Sequence, residues 1–147
     1  MNFSYSVLIA LSLIVSASAT EYVLDFSNVT LYPSGPLNQN NINLNVKDSI
    51  LIIFKENPTT GYTLRQTNQT SKLTSLLTAN SATTANGTYV KGSSSPGVVG
   101  SGGLHYFWYT AKAAGVANLV FSNGQQWTTN LMYYNVTVSI SKSGAKT

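Results

Sequence analysis

The chain has 147 residues with no Cys, one His, four Asp and Glu against eight Lys and Arg, and a formal net charge of +4. Those counts exclude a thiol or His-cluster metal site, and the scattered cations form neither the stripe nor the aromatic–basic interleaving of a nucleic-acid surface. A chain this long buries roughly two-thirds of its unfolded surface, so one domain can hold by packing and hydrogen bonding without disulfides.

In chain order, an apolar run over residues 7–15 comes first, followed by Ala17-Ser18-Ala19. The run is too short to cross a bilayer, which takes about 20 apolar residues. The A-x-A pattern makes residues 1–19 a secretory signal peptide, although no Lys or Arg precedes the run. Residues 20–147 then form a single domain with no membrane segment. Its route is the secretory pathway, ending in a lysosome-like vesicle or outside the cell. Four glycosylation sequons begin at Asn28, Asn68, Asn86 and Asn135.

Residues 22–26 alternate apolar and polar, Pro33-Ser34-Gly35-Pro36 marks a turn, and residues 42–46 alternate again. The apolar run 49–54 reads as a buried strand, and 62–66 as a half-buried one. Residues 72–77 and 89–90 read as short strands within a long surface connection over 67–103, rich in Ser, Thr, Asn and Gly. Residues 104–110 are aromatic on both faces, as a central strand is. A turn over 111–115 leads to a strand over 116–121, Asn123-Gly124 turns the chain, and 131–140 is the last strand. Helical periodicity is absent. Seven to eight strands at this spacing predict an all-β fold, an Ig-like antiparallel β-sandwich or barrel.

Catalysis has little to work with. The carboxylates are Glu21, Asp25, Asp48 and Glu56, of which only Asp25 and Asp48 lie inside or beside expected strands, and no pair has the spacing of a glycosidase dyad. His105 lacks a nucleophile elbow and reads as a strand histidine beside a loop. The expectation is a protein that is no enzyme and takes no cofactor or metal.

Three segments carry binding chemistry instead. Asn57-Pro58-Thr59-Thr60-Gly61-Tyr62 follows a buried strand: Pro58 fixes its own φ, Gly61 permits φ > 0, and two β-branched hydroxyl residues lie between them. It is either a stiff, pre-shaped binding loop or an ordinary hairpin turn. Gly100-Ser101-Gly102-Gly103 precedes the aromatic strand and allows close approach of backbone to a partner, or is a common Gly-rich turn. Gln125-Gln126-Trp127 carries a Trp that is either a core plug or an exposed anchor.

Together, in order and spacing, these segments resemble the chagasin family of cysteine-peptidase inhibitors, whose pattern is N-P-T-T-G-[YF], then G-x-G-G, then an R-P-W-type segment. The first is matched throughout and the second at its glycines; the third is matched at Trp127, with Gln125 and Gln126 in place of Arg and Pro. The resemblance covers most of residues 20–147, most loosely over 67–99. It implies an eight-stranded Ig-like fold with three adjacent loops that fill the cleft of a papain-like cysteine peptidase. The inhibition is reversible and non-covalent, by a monomer. Residues 57–61 sit over the catalytic Cys–His pair, Gly100–Gly103 pairs its backbone with the enzyme, and Trp127 packs on the opposite wall. From the residues alone, the competing reading is a secreted carbohydrate-binding or adhesive β-sandwich that uses Trp108, Trp127 and the tyrosines as stacking platforms.

Overall fold

The structure, a computed structural model, describes residues 18–28, 37–80, 87–93, 100, 102–125, 127 and 131–142. The apolar run at 7–15, the Pro33–Pro36 turn, Ser101 and Gln126 lie outside them. Nine strands occur among the described residues: β1 (Glu21–Phe26), β2 (Leu37–Asn45), β3 (Ser49–Glu56), β4 (Tyr62–Gln66), β5 (Leu77–Ala79), β6 (Thr88–Lys91), β7 (Gly103–Ala111), β8 (Gly115–Gln125) and β9 (Met132–Ser141). One sheet runs β1-β3-β7-β5 with β6 also on β7; the other runs β2-β9-β8-β4.

The Ig-like sandwich has two parallel pairs, β1 with β3 and β2 with β9, beside antiparallel pairings elsewhere. Parallel neighbours need a crossover, and β2 supplies it by carrying the chain to the second sheet between β1 and β3. The strands that face the core alternate buried with less buried residues, including β3 and β7, whose sequences read as an unbroken apolar run and a strand aromatic on both faces. Ile50, Ile52 and Phe54 of β3, Phe107 and Tyr109 of β7, Leu119 and Phe121 of β8, and Tyr134, Val136 and Val138 of β9 are all buried. The Phe54 ring lies 4.8 Å from Tyr134, 5.2 Å from Phe121 and 6.1 Å from Phe107, joining both sheets. Each such ring pair adds roughly 0.5–1.5 kcal/mol beyond its buried area.

Two local expectations are corrected. Residues 71–76 form a short helix, α1 (Ser71–Leu76), where the sequence reads as a strand. The Leu73 N–H donates to Thr70 Oγ1 at 3.2 Å, an N-cap that opens the helix, and Leu73 and Leu76 share its buried face. One and a half turns are too few for a 3.6-residue period to register. Asn123-Gly124 does not turn the chain; both residues run on within β8, opposite Leu64 and Thr63 of β4. Pairing with β4 and β9 overrides the local turn preference.

Burial pushes the Tyr134 phenol up to about 12, and burial raises Tyr109 further still, while Tyr109 donates to Gln66 Oε1 at 2.7 Å. In the unfolded chain both would ionise near 10. The folded protein therefore holds more protons above that pH, so ionisation favours the unfolded state. Stability in urea should stay flat up to about pH 10 and then fall steeply as pH rises towards 12, a trend that Tyr134→Phe should soften.

Candidate functional site

The chain passes from one sheet to the other between β3 and β4, through residues 57–61. Pro58–Thr60 makes one 3-10 turn, and Gly61 closes it at φ +80, its N–H donating to Pro58 O at 3.0 Å. Asn57 organises the loop. Its Oδ1 accepts from Thr59 Oγ1 at 2.6 Å, its carbonyl accepts from Thr60 Oγ1 at 2.7 Å, and its Nδ2 donates to Gly100 O at 2.8 Å. Both hydroxyl protons are thus held inside the loop. Thr59 and Thr60 are exposed, and with their protons so engaged their hydroxyl oxygens are left as acceptors.

Beneath the loop is a buried carboxylate that sequence reasoning missed. Glu56, 5% exposed, ends β3; its Oε1 accepts the Leu64 N–H of β4 at 2.7 Å, and its Oε2 pairs with Nδ1 of His105 on β7. One side chain therefore brackets both ends of the loop and ties them to the strand that starts at Gly103. The signal was phase: Glu56 continues the inward series Ile50, Ile52, Phe54, and His105 shares parity with Phe107 and Tyr109. The pair has the residue types of an acid–base dyad, but it is sealed. His105 is 6% exposed and stacks on Phe107 at 4.7 Å with the rings 4° apart.

The other two predicted segments come to the same edge. Gly100, at φ +90, receives the Asn57 bond, and a Cβ on it would lie 3.6 Å from Thr59 Oγ1. A Cβ on Gly102 would lie 2.8 Å from Glu56 O, and one on Gly103 would strike Val90 O. The close approach these glycines allow is to the protein's own β3 and β6. Gln125 Nε2 donates to Thr60 O at 3.1 Å, so the residue standing where the family pattern has Arg braces the first loop. Trp127 is 72% exposed and so is no core plug, and its ring lies against Gly61 so closely that a Cβ there would strike it. Tyr62, 37% exposed, stands beside them.

Segments 43 and 65 residues apart are thereby locked into one surface of two acceptor hydroxyls, backbone and an exposed indole. A shallow groove of about 440 Å³ flanks it, lined by Ser27, Asn28, Lys55, Gly92, Gly102 and Leu104 among others. Among the described residues no three His, Asp or Glu side chains converge.

Removing the carboxylate would leave His105 and the Leu64 N–H buried without it. Glu56→Ala should lose about 3–5 kcal/mol in urea unfolding, and Glu56→Gln, which still offers an oxygen to Leu64, should lose less. Gly61→Ala should lose about 1–2 kcal/mol from the left-handed φ alone, and shifted Trp127 fluorescence would report the displaced ring.

The family model described as Chagasin family peptidase inhibitor I42 matches residues 43–140, well over half of the chain. The crystal structure of the cysteine protease inhibitor EhICP2 from Entamoeba histolytica aligns at a TM-score of 0.55 and 14% identity, over 84% of this chain and 99% of that one. PbICP-C, solved in complex with falcipain-2, aligns at 0.53 and 12% identity, over 82% and 99%. The solution structure of Amebosin aligns at 0.51 and 21% identity, over 74% and 100%. At these identities the likeness is one of fold. A comparison with curated proteins finds no match.

Proposed function

The chain belongs to the chagasin family of peptidase inhibitors, and we propose that it is a reversible, non-covalent inhibitor of papain-like cysteine peptidases and no enzyme itself. The observation that carries this reading is the fusion of three distant segments through Asn57, Gln125 and Trp127 into one pre-shaped edge. Rigid loops lose little entropy on docking, so an interface of the usual protease–inhibitor size, about 1,600 Å², turns efficiently into affinity.

The polarity of the first loop fits the target's chemistry. A papain-like enzyme rests as a thiolate beside an imidazolium, and an imidazolium only donates hydrogen bonds. Thr59 and Thr60, with their protons held by Asn57, offer it acceptors. Nothing in the loop supplies a proton to the thiolate, so the pair is covered without being neutralised. Gly100–Gly103 lies along one side of the cleft and Trp127 against the opposite wall. The protein acts as a monomer, reaching its targets through the secretory pathway after loss of residues 1–19, either in a lysosome-like vesicle or outside the cell.

Titrating papain with the purified protein should abolish activity at a one-to-one ratio and restore it on dilution. No inhibition at micromolar protein would reject the reading and leave a carbohydrate-binding module as the alternative. Thr59→Val with Thr60→Val should raise the inhibition constant about 10- to 100-fold, the worth of one or two hydrogen bonds to a charged donor, with little change in Tm. Trp127→Ala should weaken inhibition while the protein stays folded, since the ring is exposed.

A further inference from the structure

Asp48 lies at the far end of β3 from the three-loop edge and is only 3% exposed. Its Oδ2 accepts from the Asn45 N–H at 2.7 Å and from Asn45 Nδ2 at 3.3 Å, and its Oδ1 accepts from the Thr20 N–H at 2.8 Å. Backbone bonds close the same junction. The Ser49 N–H donates to Thr20 O at 2.9 Å, the Lys47 N–H to Ala111 O at 2.8 Å, and the Ala111 N–H to Asp48 O at 2.8 Å. Four strand ends therefore meet around Asp48, whose carboxylate holds Thr20 and Asn45 and whose carbonyl holds Ala111. Among the described residues the ion pair is that of Glu56 with His105, so the Asp48 charge faces three neutral donors and no cation. A buried carboxylate with no counter-charge is costly to keep.

The sequence places a cation at that point. Ala17-Ser18-Ala19 marks scission of the Ala19–Thr20 amide. Hydrolysis adds one water across that bond: its oxygen stays on Ala19, which leaves as a carboxylate, and both of its protons end on the Thr20 nitrogen, which becomes an α-ammonium. With an ordinary pKa of about 7.7–8.0, that group is a cation at neutral and acidic pH. The nitrogen freed by the cleavage pattern and the nitrogen held by Asp48 are the same atom.

We propose that Asp48 is the preformed counter-charge of the mature N-terminus, so that processing after Ala19 turns the Thr20–Asp48 hydrogen bond into an ion pair and fastens strand β1. The inference rests on the secretory reading above, and its readouts are independent of peptidase inhibition. Strand β1 needs such a fastening. Among the described residues it is the edge of its sheet and pairs only with β3, and Glu21, Tyr22 and Val23 are exposed. Before cleavage Thr20 offers an amide N–H of the same geometry without charge.

The full-length chain, expressed in a secreting eukaryotic host, should yield a product whose N-terminal sequence begins at Thr20; a product beginning elsewhere overturns the proposal. Acetylating its α-amine at about pH 6.5, where lysines stay protonated, restores a neutral N–H. The acetylated protein should melt about 3–5 °C lower at low salt, with a smaller gap at 1 M salt. Equal melting temperatures at low salt overturn the proposal. In Asp48→Asn acetylation should leave Tm unchanged, and a gap that persists there overturns it too; if that variant does not fold, the salt dependence of the wild-type gap decides. Papain inhibition measured on the same samples should be unaltered, because the site lies at the other end of β3.

Discussion

A single buried carboxylate governs the geometry of this protein's three-loop edge. Glu56 stands where one sheet hands the chain to the other. By accepting the Leu64 N–H with one oxygen and facing His105 with the other, it fixes the entry and exit of a short loop and the start of β7. A charge in such a place tolerates few arrangements, because every misplacement leaves a polar group buried without a partner. The 3-10 turn, the left-handed Gly61 and the Asn57 bonds are local consequences that can be precise because their frame is. Gly102, packed over the Glu56 carbonyl, brings the second loop under the same constraint.

Much of this was legible in the residues. Alternation located β4 and β9, an unbroken apolar run located β3 and an aromatic one β7, and the backbone needs of Pro58 and Gly61 fixed the character of the first loop. What escaped depended on partners distant in sequence. Whether Asn123-Gly124 turns or continues is decided by β4, about sixty residues earlier, and whether 71–76 is a helix by a Thr cap too local to show a period. Glu56 and His105 were each visible, but neither alone announces a pair; only the register of β3 on β7, which sets Phe54 opposite His105, brings them together.

The third segment shows how a departure from a family pattern can be absorbed. Gln125 turns its amide onto Thr60 O and braces the neighbouring loop. Trp127 leans on Gly61, so the indole and the glycine constrain each other: the ring needs a residue without Cβ, and the turn needs one that accepts φ +80. The edge is thus preorganised by contacts within it, and any partner meets a surface whose internal hydrogen bonds are already made.

Among the described residues the loops are cross-linked by hydrogen bonds, from Asn57 to Gly100 and from Gln125 to Thr60, and by the packing of Trp127 on Gly61, in a chain without a single cysteine. Many secreted scaffolds would staple such loops with a disulfide. Opposite a reactive thiolate, that staple would be an electrophile: the target's sulfur could attack it, exchange into a mixed disulfide and open the very link that shapes the edge. Amide-to-carbonyl ties give the thiolate no sulfur to attack and re-form when broken. The absence of cysteine therefore leaves these ties indifferent to thiol–disulfide exchange, in oxidising and reducing surroundings alike.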